Sequence, residues 1–223
     1  MNKLVTVMIA LLVASVSGAA LAQDKSKAAS ASADIGGKVA MCIGCHGIPR
    51  YQTNFPEVYK VPMISGQNEK YIASALNAYK KGERKHPSMR GIAQSLSDQD
   101  IAEIAAYYAA SGKDVANSKA NDKVPDAPAK VAELIQKGAC LSCHGEGFRK
   151  PIDPSYPKVA GQYPDYLTAA LKAYKVDHEY FGRTNAIMAG VAKQFSNTEI
   201  KQIAEYISSI GGDLKTVREP RFR

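Results

Sequence analysis

The heptapeptide MCIGCHG at residues 41–47 recurs as ACLSCHG at residues 139–145, an offset of 98 residues. Two further matches follow in the same order: a Gly-Gln pair, and the hexapeptide ALNAYK, which recurs as ALKAYK 95 residues later. A final pair of methionines matches at an offset of 99 residues. Self-similarity at about 100 residues is too long for a solenoid repeat and is typical of two copies of a whole domain. The sequence therefore predicts a duplicated domain.

Apolar residues recur within each copy at the spacing of helices. One helix leads into each cysteine motif, and a second, over residues 71–79 and 166–174, presents an apolar face whose tyrosines are expected to lie in the core. A third helix begins at Ser97 and at Ser196, where an acidic residue three positions later completes a capping box. Because strand alternation is nowhere sustained, the fold class is all-α.

The N-terminal region and the middle of the chain lack this helical pattern. Lys3, an apolar run and a stretch of small residues that ends in Ala20-Leu21-Ala22 are typical of a secretory signal peptide, and the run is too short to span a membrane. An uncleaved N-terminal anchor is the alternative. Export predicts a periplasmic protein. The predicted boundaries are a signal peptide at 1–22, a flexible segment at 23–33, domain 1 at 34–112, a polar linker at 113–128 and domain 2 at 129–223.

All four cysteines lie in two Cys-x-x-Cys-His motifs. This spacing lets both haem vinyl groups form thioethers while the adjacent histidine reaches the iron. A thioredoxin-like site needs a βαβ setting, and a zinc site does not need a histidine directly after the second cysteine. The sequence therefore predicts two covalently bound haem c groups. Their predicted ligands are the thioether cysteines Cys42, Cys45, Cys140 and Cys143 and the axial histidines His46 and His144.

The sixth iron ligand is predicted from the repeat. After its motif, the second copy contains one methionine, Met188, and one further histidine, His178. In the first copy Met63, His86 and Met89 compete, but only Met89 occupies the position equivalent to Met188. The two methionines follow their histidines by 43 and 44 residues. A thioether favours Fe(II) and closes the iron to oxygen and peroxide, so this pairing predicts electron transfer rather than substrate chemistry.

With these motifs the chain resembles the cytochrome c4 family, the di-haem class I cytochromes of bacterial periplasms. The resemblance covers nearly all of the mature sequence and includes the Gly-Gln pairs and the spacing Arg-x-x-x-x-Met at Arg84 and Arg183. It implies two tandem class I cytochrome c domains, His/Met ligation at both irons and haem propionates that meet at the domain interface. It also implies that Arg84, Arg183 and Asn185 contact propionates, which their donor groups suit. Residues 48–59 and 146–156 lack the Gly-rich stretch associated with the family.

The formal net charge of the chain is +8 at pH 7. Loss of Lys3 and addition of four propionates leaves roughly +3, which argues against nucleic acid as a partner and favours modest electrostatic steering only. The leading function is a shuttle from a cytochrome bc complex or another periplasmic donor to a haem-copper terminal oxidase, with no catalysis. The alternatives are a di-haem cytochrome c peroxidase, which needs one open iron, and a dedicated acceptor for a periplasmic dehydrogenase.

Overall fold

The structure is a computed structural model that describes residues 35–112 and 123–218. It divides into two compact units, Met1–Ala40 and Met41–Arg223. In the first unit, the described residues 35–40 are helical. The predicted signal peptide, the predicted flexible segment and residues 113–122 of the predicted linker lie outside the described residues, and linker residues 123–128 have no regular secondary structure. Below, the first half means residues 41–112 and the second half residues 123–218.

Helices form most of both halves. The first helix, α1, covers residues 35–46 and ends in the first cysteine motif. The elements that follow it are β1 Gln52–Thr53, β2 Tyr59–Lys60, α2 Glu69–Lys81, β3 Arg84–Lys85, α3 Pro87–Gln94 and α4 Asp98–Ala110. Those of the second half are α5 Ala129–Lys137, α6 Leu141–His144, a 3₁₀ helix Glu146–Phe148, α7 Pro164–Ala173, β4 Gly182–Arg183, α8 Ala186–Ala192 and α9 Asn197–Ser209. No strand in these described ranges exceeds two residues, so the all-α prediction is confirmed.

Local chemistry explains where the helices begin and end. Both predicted capping boxes are present: the hydroxyl of Ser97 accepts from the amide of Asp100, whose carboxylate accepts from the amide of Ser97. Ser196 and Glu199 make the same pair. Helix α2 ends at Gly82, whose positive φ of 78° suits glycine and lets its amide bond the last turn.

The core of the second half lies between α5, α7 and α9. The predicted helix faces supply it, because the apolar residues spaced three and four apart point inward. Its fully buried members include Ile200 and Ala204, and α4 provides the equivalent pair Ile101 and Ala105 in the first half. Helix α4 packs on α2, as α9 packs on α7.

The two halves of unit Met41–Arg223 contact each other along a surface that we call the seam. It contains the strand pair β3–β4 and the contacts of Lys60, Gln67 and Gln162 with the opposite half. Strands β3 and β4 pair antiparallel, with Arg84 opposite Arg183, its own counterpart in the repeat. Contacts in which a residue meets its equivalent are typical of two-fold, isologous packing. The pairing of Arg84 with Arg183 is therefore the pattern expected of two halves in an approximately two-fold arrangement.

One ion pair on the seam predicts a pH dependence. The amide and ammonium of Lys60 both donate to the Asp165 carboxylate, at 3.1 and 2.8 Å. Burial alone would raise the pKa of Asp165, but these hydrogen bonds lower it below its usual value. The pair therefore stabilises the folded state above the unfolded pKa of ~3.9, and this contribution is lost as the pH falls through the lower folded pKa.

The measurement is the free energy of unfolding of the wild type and of Asp165→Asn from pH 6 down to pH 2. We expect the wild type to be more stable at pH 6 by less than ~1 kcal/mol, because the pair is partly solvated. The difference should shrink towards acid pH. A difference that stays constant across the range would contradict the prediction.

Candidate haem sites

A cavity of about 500 Å³ in the unit Met41–Arg223 collects the predicted ligands of the second half. It is lined by Cys140, Cys143, His144 and Met188, four residues that the sequence analysis assigned to one haem. Its remaining walls are largely apolar and include Phe148, Leu167, Leu171, Val191, Phe195, Ile203 and Ile207. A cavity of this volume with apolar walls and a few convergent polar groups is typical of a cofactor site.

Both predicted axial histidines have one ring nitrogen fixed by a proline carbonyl. The Nδ1 of His46 lies 2.9 Å from the Pro62 oxygen, and the Nδ1 of His144 lies 3.1 Å from the Pro157 oxygen. Because a carbonyl can only accept, Nδ1 carries the proton and Nε2 keeps its lone pair for a metal. Burial lowers the pKa of both histidines, an effect larger than that of the proline hydrogen bonds. Each imidazole is therefore neutral, as an iron ligand must be.

The glycine after each histidine makes room for the motif. Gly145 ends α6 with φ 72° and ψ −178°, a conformation that essentially only glycine adopts. A Cβ there would overlap the carbonyl oxygen of Lys150. At Gly47 a Cβ would lie 2.7 Å from the Ile43 oxygen. Both halves therefore require glycine directly after the histidine.

The two predicted distal methionines lie at equivalent places on short helices. Met188 is in α8, where the side chain of Asn185 caps the helix by accepting from the Met188 amide at 3.0 Å. Met89 is in α3, and the Nδ1 of His86 accepts from its amide at 3.4 Å. His86 and Asn185 therefore both cap the helix that carries the methionine, which explains why a histidine and an asparagine are equivalent in the repeat.

In the first half, the described contacts place Cys42 beside α4 and His46 near the start of α3. Cys42 and Cys45 interact electrostatically, and Cys42 lies beside the hydroxyl of Tyr108. His86, the cap of the helix that carries Met89, is close enough to His46 to contribute to lowering its pKa. The start of helix α3 therefore lies near His46, and the assignment of Met89 to the same haem stays a prediction from the repeat.

The rival ligand His178 has a different setting. Its ring stacks on Phe181 with 4.2 Å between the ring centroids. It does not line the cavity that holds His144 and Met188. Within residues 35–112 and 123–218 there is also no cluster of three or more histidine, cysteine or acidic side chains that could hold a metal ion.

Arg84 and Arg183 form a cluster with tyrosines on the seam. The Tyr166 hydroxyl accepts from both guanidinium groups, at 3.3 and 3.2 Å, and the Tyr71 hydroxyl accepts from Arg84 at 3.3 Å. Burial alone would raise the pKa of Tyr166, but the two arginine charges lower it below its usual value. Tyr166 packs against the core as expected, and its hydroxyl in addition accepts from both arginines, which the sequence did not predict.

This cluster also tests whether haem fits. Arg84 is only 9% exposed, and among the described residues its Nε has no hydrogen-bond partner. A buried guanidinium beside a second, half-buried one is costly unless anions compensate them. Both arginines line the cavity that holds His144. The cluster therefore fits carboxylate groups such as haem propionates, which bind arginine through charge-assisted hydrogen bonds.

The sequence analysis missed three groups of this site. The carbonyls of Pro62 and Pro157 orient the histidines, and their signal was a proline repeated at the offset of 95 residues. The tyrosine hydroxyls had a similar signal in Tyr71 and Tyr166, also 95 residues apart. The third group, the glutamines of the Gly-Gln pairs, lies on the seam.

No helix within the described ranges has both the length and the apolar character needed to cross a membrane.

Known cytochromes are similar to this chain in sequence and in structure. A family model described as cytochrome c matches residues 128–211. Cytochrome c4 of Pseudomonas aeruginosa is 30% identical, over 94% of this chain and 100% of that protein. A thiosulfate dehydrogenase electron acceptor of Stutzerimonas stutzeri is 28% identical, over 76% of this chain and 79% of that protein. The structure of Acidithiobacillus ferrooxidans cytochrome c4 is similar with a TM-score of 0.57 and 27% identity, over 77% of this chain and 99% of that one.

Full-length similarity to a cytochrome c4 accounts for both the duplication and the paired motifs. The prediction of two tandem cytochrome c domains is thus confirmed, as is that of two covalently bound haem c groups. This chain belongs to the cytochrome c4 family of di-haem electron-transfer proteins.

Proposed function

We propose that this protein is a periplasmic shuttle that accepts electrons from a cytochrome bc complex, delivers them to a haem-copper terminal oxidase and turns over no substrate of its own. The observation that carries the proposal is Met188 in the same cavity as His144, together with the equivalent Met89 in the first half. A methionine at each site leaves no open coordination position for a substrate.

The proposed attachment and ligation use the residues predicted from sequence. Cys42 and Cys45 hold one haem and Cys140 and Cys143 the other, and each bound haem supplies an iron that takes up and releases one electron. His46 and His144 are the proximal ligands, with Nδ1–H donated to Pro62 and Pro157. A firm hydrogen bond at Nδ1 fixes the ring orientation and raises the basicity of Nε2.

Arg84 and Arg183 are proposed to bind propionates of both haems at the seam. Both side chains line the cavity of the second half, and Arg84 also reaches across to Tyr166. The cationic pair thus lies where the two halves meet, and its guanidinium groups would supply charge-assisted donors to propionates from either half. Asn185 lines the same cavity through its capping position and is proposed as a weaker, third contact.

A specific observation favours a second candidate for the donor. One relative is named as a thiosulfate dehydrogenase electron acceptor and matches over most of both chains. The same two-haem arrangement would suit an acceptor for a periplasmic dehydrogenase, because either role requires only fast, reversible docking. The peroxidase alternative lacks such support, since both halves present a methionine.

Stopped-flow oxidation of the reduced protein by membranes that contain the oxidase tests the proposal. We expect rapid oxidation with a shallow salt dependence, because modest charge is screened beyond a Debye length of ~10 Å at 0.1 M salt. Peroxide-dependent turnover of the purified protein at ~1 to 1000 per second would instead show an enzyme. Reduction by a thiosulfate dehydrogenase but not by the bc complex would replace the proposed donor with the second candidate.

A further inference from the structure

We infer that Gln67 and Gln162 are positioning residues that act across the seam, each fixing the proximal histidine of the other half. Both side chains are almost fully buried, with exposures of 5% and 4%. They are the glutamines of the repeated Gly-Gln pairs. The inference rests on the proposed function, because it takes His46 and His144 as iron ligands.

Gln67 of the first half binds the backbone of Lys158 in the second half. Its Nε2 donates to the Lys158 carbonyl at 2.9 Å, and its Oε1 accepts from the Lys158 amide at 2.9 Å. The neighbouring Asn68 donates to the Tyr156 carbonyl at 3.0 Å, and the Lys158 ammonium donates back to Gly66 at 2.9 Å. The backbone on both sides of Pro157 is therefore held from the first half.

Gln162 of the second half makes the reciprocal contact with Met63 of the first. Its Nε2 donates to the Met63 carbonyl at 2.9 Å, and its Oε1 accepts from the Met63 amide at 3.1 Å. Met63 and Lys158 are equivalent positions of the repeat, each directly after a proline. The pattern of Gln67 is thus repeated with the halves exchanged.

These contacts end one residue from the histidine acceptors. Pro157 accepts from His144 and Pro62 accepts from His46. Gln67 therefore holds the acceptor of the second-half histidine, and Gln162 holds that of the first-half histidine. The connection is crossed: each half supports the iron ligand that belongs to its neighbour.

The physical effect follows from ligand basicity. A well-placed carbonyl acceptor at Nδ1 makes the imidazole a stronger donor to iron, which stabilises Fe(III) relative to Fe(II). Release of the glutamine contacts leaves the proline carbonyl free to shift and weakens that hydrogen bond. The reduction potential of the affected haem should then rise.

Gln67→Met and Gln162→Met test the inference, because methionine keeps the length of the side chain and removes both hydrogen bonds. A redox titration from the ferric to the ferrous state is monitored by NMR. The haem methyl resonances are assigned to each half through NOEs to Met89 and Met188. We expect Gln67→Met to raise the reduction potential of the second-half haem and Gln162→Met to raise that of the first-half haem. The expected rise is about threefold in the equilibrium constant for reduction, or ~30 mV at 59 mV per tenfold change.

The exposed Gln136 of α5 provides a matched control, and Gln136→Met should shift neither haem. If a methionine variant fails to incorporate two haems, Gln67→Asn keeps both polar groups on a side chain one methylene shorter, weakens both contacts and should give a smaller rise in the potential of the same haem. Ile200→Val removes one buried methylene, costs ~1 kcal/mol of stability and should leave both potentials unchanged.

If the glutamines only stabilise the packing of the two halves, their variants should be less stable than the wild type while the reduction potentials of both haems stay unchanged. Unchanged reduction potentials would overturn the inference. So would an equal change in the potentials of both haems, or a change at the haem of the half that carries the substitution. A wild-type protein without methionine-ligated haem signals would instead overturn the ligand set of the proposed function.

Discussion

In the Met188→Ala protein, the second-half iron is expected to lose its sixth ligand while the first-half iron stays six-coordinate and low-spin. Alanine cannot reach the iron, and Met188 is the methionine that lines the cavity with His144. The ferric charge-transfer band in the far red, which reports methionine ligation, should lose about half of its intensity, because one of two equivalent ligand sets is removed. Absorption spectra of the ferric variant and wild type measure this directly.

Met41→Ala is the matched control for this experiment. Met41 is 54% exposed and directly precedes the first cysteine motif, so the band should keep its full intensity. Met89→Ala should remove the other half of the band. Full intensity in Met188→Ala would exclude Met188 as a ligand and would return His178 to consideration.

A Gly145→Ala substitution is expected to prevent the second half from reaching a stable haem-bound state. The backbone at Gly145 has φ 72° and ψ −178°, which costs about 1–3 kcal/mol for any other residue. The added methyl group would also overlap the Lys150 carbonyl, a backbone atom that cannot move without shifting the loop after the motif. The total should exceed ~4 kcal/mol, which is exceptional for one substitution.

The measurement is the haem-to-protein ratio by intact mass, followed by thermal unfolding. We expect the major species to carry one haem, the one attached at Cys42 and Cys45. Gly190→Ala is the control, because a Cβ at this position of α8 meets no atom within 4 Å. Alanine in a helix interior is favoured over glycine by up to ~1 kcal/mol, so this variant should carry two haems and melt no lower than wild type. Two haems and unchanged melting in Gly145→Ala would contradict the prediction.

Much of this architecture was predictable because side chains carry its signals. The duplication, the capping boxes at Ser97 and Ser196 and the buried faces of α4 and α9 all depend on residue types at fixed spacing. Convergence of Cys140, Cys143, His144 and Met188 on one cavity was also implied by the repeat. The helical periodicity and the spacing within each motif depend on residues close together in the sequence, and the structure contains the helices that they predict.

The parts that escaped prediction depend on contacts between distant segments. The repeated prolines mark where the carbonyls that orient the histidines lie, but they do not show which side chain each carbonyl accepts from. The repeated glutamines were visible, but their partners lie 91 and 99 residues away, in the other half. Tyr166 has the spacing of a core residue, and only the pairing of β3 with β4 brings two arginines to its hydroxyl.

The approximate two-fold seam has a consequence for how the two copies can evolve. In a symmetric dimer of identical chains, every substitution changes both partners at once, so a residue on the axis must be compatible with itself. In this fused chain the copies are separate stretches of one gene, and each can change alone. Arginine occupies both of the equivalent positions that lie opposite each other in the β3–β4 strand pair. Away from it the copies have diverged, with His86 against Asn185 and Tyr108 against Ile207, so that the two haem environments are chemically distinct within one molecule.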